Sequence, residues 1–189
     1  VSPMQKRQMN TQEGGNVGVC AIKGNFDDCQ NGVKMIFTND EIKQKLDDNG
    51  LMFSSANSIN WGRLVPQIVY YISSYASLVA DKEIELGEKI NIVVPTGNFG
   101  NILAGYYAKQ MGLPVNRLIC ASNVNKVLTD FINTGVYDRN REFYATCSPS
   151  MDILISSNLE RLLYLLTGEN DAQIREWFTA LAENGKYEV

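Results

Sequence analysis

"INIVVPTGNFGNILAGYYAKQMG", residues 90–112, runs from an unbroken apolar stretch through a polar loop into a helical pattern. Residues 90–95 read as a strand. It is apolar on both faces, which predicts a parallel strand in the middle of a sheet. Residues 101–111 read as a helix with Ile102, Leu103, Tyr106 and Tyr107 on one stripe. Between them, Gly97, Asn98, Gly100 and Asn101 surround Phe99. In an open α/β sheet this is the carboxyl end of a strand, where ligands bind. The N-terminus of the helix adds N–H groups without partners and the positive end of a dipole, which suit a phosphate. Gly97 and Gly100 would let the backbone wrap closely and adopt positive φ. Asn98 and Asn101 tolerate unusual backbone angles and bring amide donors. The stretch matches neither G-x-x-x-x-G-K-[ST] nor G-x-G-x-x-G, which argues against a P-loop and a dinucleotide fold. Two readings stay open: a small cradle for a single phosphate group, or a tight βα turn that holds nothing.

A second polar cluster, "SSANSINWGR" (54–63), also ends an expected strand, which runs into a polar turn over 51–60, and precedes an expected helix (63–79). Ser54, Ser55, Asn57, Ser58 and Asn60 are uncharged hydrogen-bonding groups, and Arg63 is the cation among them. A guanidinium beside such groups can clamp an oxyanion. The plainer reading is a helix start capped by Ser58 or Asn60, with Arg63 in a surface ion pair. Two such loops in one chain point to a ligand system with more than one anionic group.

The rest of the chain alternates similarly. Short strands are expected at 16–22 and 117–122, and helices at 26–37, 39–46 and 126–135. In the first of these helices Val33, Ile36 and Phe37 should face inward, and Asn39 or Asp40 should cap the second. The helix over 63–79 places Leu64, Val65, Ile68, Val69, Ile72 and Tyr75 on one face, with Pro66 tolerated near its first turn. Residues 158–166 and 172–181 are amphipathic, so the last stretch reads as all-helical. The fold class is therefore α/β, a mostly parallel sheet with flanking helices and a helical C-terminal part. Asp152 reads as a turn or helix cap, and Lys109 as part of a solvated helix face.

Composition narrows the function. The 189 residues are 44% hydrophobic and 20% charged, with net charge −4 and no basic cluster, so nucleic acid is not an expected partner. No apolar run approaches the ~20 residues of a membrane span. With no histidine and no C-x-x-C, zinc sites and Ser–His or Cys–His catalysis are poor matches. Cys20, Cys29, Cys120 and Cys147 read as free thiols of a cytoplasmic protein. The chain opens with "VSPMQKRQM", without an initiator methionine, and is expected to be a piece of a longer protein.

Taken together, "SSANSINWGRLVPQIVYY", "VPTGNFGNILAGYYAKQMGLP", "PSMDILISSNLERLL", "VSPMQKRQMNTQ" and "GNFDDCQNGVK" resemble the threonine synthases of bacteria and fungi, over nearly the whole chain. These are fold-type II enzymes that use pyridoxal 5'-phosphate (PLP) to convert O-phospho-L-homoserine and water to threonine and phosphate. The resemblance implies that Gly97, Asn98, Phe99, Gly100 and Asn101 bind the cofactor phosphate. It implies that Asn57, Ser58 and Arg63, with Asn60 beside them, hold the phosphate of the amino-acid substrate. It further implies that the Schiff-base lysine precedes the matched region, so that this chain alone contributes no catalytic residue and is inactive. Within the fold-type II pattern, residues 1–53 would be part of the smaller, mobile domain. Residues 54–148 would be part of the larger, cofactor-phosphate-binding domain, and 149–189 a helical segment.

Overall fold

A computed structural model describes residues 3–24 and 26–189; Val1, Ser2 and Asn25, which fall in two of the stretches carrying the resemblance, lie outside them. The chain divides into two compact units, Val1–Ser55 and Ala56–Val189.

The first unit is helical: α1 (Pro3–Asn10), α2 (Phe26–Thr38) and α3 (Asp40–Asp47). Asn39 caps α3, its Oδ1 accepting the Ile42 N–H at 3.0 Å. Phe37 and Phe53 stack with ring centroids 4.5 Å apart. The strands expected at 16–22 and 51–60 do not form. A strand requires a neighbouring strand for its N–H and C=O groups, and among the described residues neither segment joins a sheet. Val17, Val19 and Ile22 stand about half exposed, as do Val33 and Ile36, which the helical pattern of α2 would turn inward. Periodicity announces an apolar face, but only a second layer can bury it.

The second unit contains α4 (Trp61–Ala80), β1 (Ile90–Pro95), α5 (Gly100–Gln110), β2 (Val115–Ala121), α6 (Val127–Thr134) and β3 (Val136–Asp138). A 3₁₀ turn at Pro149–Met151, α7 (Leu159–Leu166), α8 (Asp171–Asn184) and β4 (Lys186–Glu188) follow. β1 and β2 pair in parallel, with Ile92 opposite Leu118 and Val94 opposite Cys120. The expectation of a parallel β1 holds, and that of a central strand buried on both faces does not. Among the described residues its sheet has two strands, and Val93 is 60% exposed while Val94 is buried. The opposite face packs on α5, which is buried on nearly every side through Ile102, Leu103, Ala104, Gly105 and Ala108. Gly105 is needed there, since a Cβ would lie 2.8 Å from the Tyr71 ring.

α4 buries Leu64, Ile68, Tyr71 and Tyr75, whereas Val65, Val69 and Ile72 are exposed; the true stripe is rotated toward Tyr71 because Tyr71 bonds to α5. The helix also starts two residues earlier than expected, so Pro66 sits in the second turn. There it deprives the Gly62 carbonyl of its usual helical donor. α6 ends at Gly135, which takes φ +76 and closes a left-handed cap. The C-terminal part is helical except for β4, which pairs antiparallel with β3 and stacks Tyr187 on Tyr137 at 5.3 Å. The pattern missed this strand because "KYE" is too short to show a period. No helix among the described residues is long and apolar enough to cross a membrane.

Candidate functional site

The loop between β1 and α5 is held at its start by sheet hydrogen bonds. Thr96 N–H donates to the Ala121 carbonyl at 2.8 Å, and Thr96 Oγ1 to the Val94 carbonyl at 2.7 Å. Gly97 and Gly100 are both buried, but neither adopts positive φ, contrary to expectation. Their lack of a side chain serves close approach instead. A Cβ on Gly97 would lie 2.7 Å from the Ser150 carbonyl oxygen, and one on Gly100 2.3 Å from Ser58 Cβ. The Phe99 N–H is spent on the Ser157 carbonyl at 2.9 Å. The N–H groups of Gly97, Asn98, Gly100 and Asn101 meet no acceptor among the described residues, so the loop and the first turn of α5 keep donors for an anion.

The Asn101 side chain does not face the loop, as expected from its amide donors. It turns to α4, where its Oδ1 accepts from Tyr71 OH at 2.7 Å and its Nδ2 donates to Gln67 Oε1 at 3.1 Å. Asn98 is exposed, its Oδ1 bonded to Ser157 Oγ.

The 57–63 turn is built by its own side chains. Asn57 Oδ1 accepts the Ile59 N–H at 3.0 Å, and Asn60 caps α4 by accepting the Gly62 N–H at 3.0 Å. Of the two expected caps, Asn60 is the one used. Ser58 Oγ accepts from Gln67 Nε2 at 2.9 Å. Arg63 is exposed and makes no ion pair among the described residues; its Nε donates to the Ala56 carbonyl at 3.3 Å. It lines a recess of about 250 Å³ with Ala56, Gly62, Pro66, Gln67 and Tyr70. Sequence reasoning missed Gln67, though its position four residues after Arg63 places both on one helix face.

Packing joins the two loops. Gly100 lies against Ser58, and a chain of hydrogen bonds runs from Ser58 through Gln67 and Asn101 to Tyr71. A third segment, 150–158, backs the 96–100 loop: Ser150 approaches Gly97, and Ser156 Oγ donates to the Gly97 carbonyl at 2.7 Å. Tyr137, 1% exposed, holds this segment, its OH donating to the Leu154 carbonyl and accepting the Ser156 N–H. The available signal was the Ser156–Ser157–Asn158 triplet, which interrupts an otherwise apolar run.

Asp152 closes the 3₁₀ turn Pro149–Met151, as the expectation of a turn or cap has it, and is also a buried hub. Its carboxylate accepts from Asn123 Nδ2 (2.6 Å), Asn125 Nδ2 (3.1 Å), Thr146 Oγ1 (2.7 Å) and the Thr146 N–H (2.7 Å). Burial pushes its pKa up, but the bonds from Thr146, Asn123 and Asn125 outweigh burial and hold the carboxyl below the usual carboxylate range.

Burial pushes both Tyr71 and Tyr137 up to about 12. A phenol whose folded pKa is raised stabilises the fold fully below the unfolded value of about 10 and loses that contribution as pH rises toward the folded value. Stability is therefore expected to fall as pH rises from about 10 toward 12, as the fold holds Tyr71 and Tyr137 un-ionised while the unfolded chain does not. The urea midpoint should fall across this range in the wild-type chain, and a midpoint that stays constant from about pH 10 to 12 would contradict it.

No protein-family model matches the chain. It is 46% identical over its full length to human threonine synthase-like 1 and spans 26% of that protein. It is 42% identical over its full length to threonine synthase of Saccharomyces cerevisiae and spans 37% of it. The crystal structure of PLP-bound threonine synthase from Brucella melitensis matches with a TM-score of 0.83 at 44% identity, covering 100% of this chain and 38% of that one. The chain thus spans roughly a quarter to two fifths of the length of these relatives.

Proposed function

We infer that this chain, homologous along its whole length to threonine synthases, serves as the phosphate-binding part of such an enzyme. The enzyme would convert O-phospho-L-homoserine and water to L-threonine and phosphate, in the cytoplasm. One observation supports this most: Gly100 packs on Ser58, which sets two anion-competent loops side by side, as a phosphorylated cofactor and a phosphorylated substrate require. The free donors at Gly97, Asn98, Gly100 and Asn101 suit the cofactor phosphate, with Phe99 buried beneath as an anchor. PLP, when bound, supplies an electron sink for the substrate's carbon atoms.

Asn57, Ser58, Asn60 and Arg63 then hold the leaving phosphate. Arg63 offers charge-assisted hydrogen bonds from an exposed guanidinium, and these orient the phosphorylated end of the substrate. None of these residues accepts or donates a proton in the reaction. In the family pattern that work falls to the Schiff-base lysine, to which no lysine of this chain corresponds, so the 189 residues alone are inactive. Residues 1–53 would belong to the smaller domain, 54–148 to the larger one, and 149–189 to a helical segment.

Losing one hydrogen bond to a charged group costs about 1.5–3 kcal/mol, so Arg63→Ala in the complete enzyme should weaken substrate binding roughly ten- to a hundredfold. Steady-state kinetics would measure it, and an unchanged KM would remove Arg63 from the clamp. The reading as a whole is tested by titrating PLP into the purified chain with inorganic phosphate as competitor. Saturable binding that phosphate displaces is expected; no binding would leave the chain without a formed cradle. A second reading, a phosphate-binding protein without the synthase reaction, has one observation on its side. Identity to the protein named threonine synthase-like 1 is 46%, against 42% to the Saccharomyces cerevisiae threonine synthase.

A further inference from the structure

Residues 156–161 touch both anion-competent loops. On the 97–101 side, Ser156 Oγ donates to the Gly97 carbonyl at 2.7 Å, the Ser157 carbonyl accepts the Phe99 N–H at 2.9 Å, and Ser157 Oγ bonds to Asn98 Oδ1. On the 57–63 side, Arg161 Nη1 donates to the Ser58 carbonyl at 2.8 Å, and Asn158 Nδ2 reaches Asn57 Oδ1 at 3.5 Å. Between the two sets, Asn158 is fully buried with φ +74, a left-handed conformation that asparagine tolerates better than most residues. This turn carries the chain from the 150–157 segment, which backs the glycine loop, into α7.

Arg161 has two further contacts that fix it. Its guanidinium lies 5.5 Å from the centre of the Trp61 ring, and Nη1 also reaches Asn158 Oδ1 at 3.4 Å. Trp61 opens α4, so Arg161 holds the 57–63 turn at two points, Ser58 and Trp61. We propose that residues 156–161 form a bracket that fixes the substrate-phosphate clamp against the cofactor-phosphate loop, with Arg161 as the positioning residue on the clamp side. This rests on reading Asn57, Ser58, Asn60 and Arg63 as phosphate ligands. A charge-assisted bond to the Ser58 carbonyl fixes the Ser58–Ile59 peptide, and with it the direction of the Ser58 hydroxyl and the Asn57 turn. Arg161 acts through Ser58, whereas Arg63 would meet the anion.

The test follows the backbone amide signals of 57–63 and 97–101 by NMR while inorganic phosphate, and separately PLP, is titrated into the chain. Arg161→Met keeps the stem over Trp61 and removes the donor. It is expected to weaken phosphate at 57–63 about tenfold, the equivalent of one charge-assisted hydrogen bond. PLP at 97–101 should bind unchanged, and Arg161→Lys should recover part of the loss. Full phosphate affinity at 57–63 in a folded Arg161→Met protein would overturn the bracket and leave the clamp standing. No phosphate response at 57–63 in the unsubstituted chain would overturn both. Should Arg161→Met lose its folded spectrum, hydrogen exchange of the unsubstituted chain decides. Phosphate is expected to slow exchange at 156–161 together with 57–63, and slowing confined to 57–63 overturns the bracket.

Discussion

Asp152→Ala is expected to destabilise the Ala56–Val189 unit by about 3 kcal/mol, from the loss of several hydrogen bonds to one buried charged group. The Thr146 N–H would lose its acceptor, and Asn123 and Asn125 would each lose one partner. Asp152→Asn should not rescue fully, because its amide would turn a donor toward groups that are themselves donors. Urea denaturation would read the change, and a midpoint shift under a few tenths of the expected energy would show that water replaces the carboxylate without cost. The pH dependence has a definite sign. The folded carboxyl titrates lower than the unfolded one, at about 3.9, so its stabilisation is complete above that pH and lost as pH falls through the folded value. Asp152→Ala should therefore flatten the acid limb of the stability profile. Because Asp152 ends the 3₁₀ turn whose Ser150 backs Gly97, the same variant should loosen the glycine loop.

Gly100→Ala should cost about 3 kcal/mol, at the upper end of the range for overpacking. The new methyl would lie 2.3 Å from Ser58 Cβ, and Ser58 cannot move away freely. Gln67 holds its hydroxyl and Arg161 its carbonyl. The backbone at Gly100 is not in a left-handed conformation, so the cost is one of contact rather than of φ. Gly32→Ala is the contrasting case. Gly32 lies inside α2, and a methyl group added there would meet nothing within 4 Å, so alanine should stabilise the helix by about 0.5–1 kcal/mol. Thermal denaturation of both variants would separate the two roles of glycine. A neutral Gly100→Ala would mean that the 57–60 turn and the 96–100 loop are free to part, and the case for a shared site would fall with it.

Much of the local structure is legible in the sequence. Strand 90–95 and the helix after it show in the apolar period, and Gly135 and Asn39 mark ends that short-range sterics and a single side-chain oxygen determine. The two polar loops were legible as well, because polar groups between apolar segments have no packing reason to be there. Other expectations failed where burial depends on a partner distant in sequence. The segments at 16–22 and 51–60 have strand-like composition but join no sheet among the described residues, and Val93 has a strand's pattern but stands 60% exposed.

The sequence by itself did not announce α1 (Pro3–Asn10), but it determined which segments from residue 26 onward are helical, where most of them end, and that β1 runs parallel. These follow from interactions within a few residues, where spacing and side-chain chemistry are sufficient. Only the tertiary structure decided that Gly100 meets Ser58, that Asn101 turns to Tyr71, that Asp152 gathers four donors, and that Arg161 reaches Ser58 across 103 positions of chain. Those contacts depend on how α4, α5 and α7 pack, and packing is selected by the fit of whole surfaces, which no local pattern encodes.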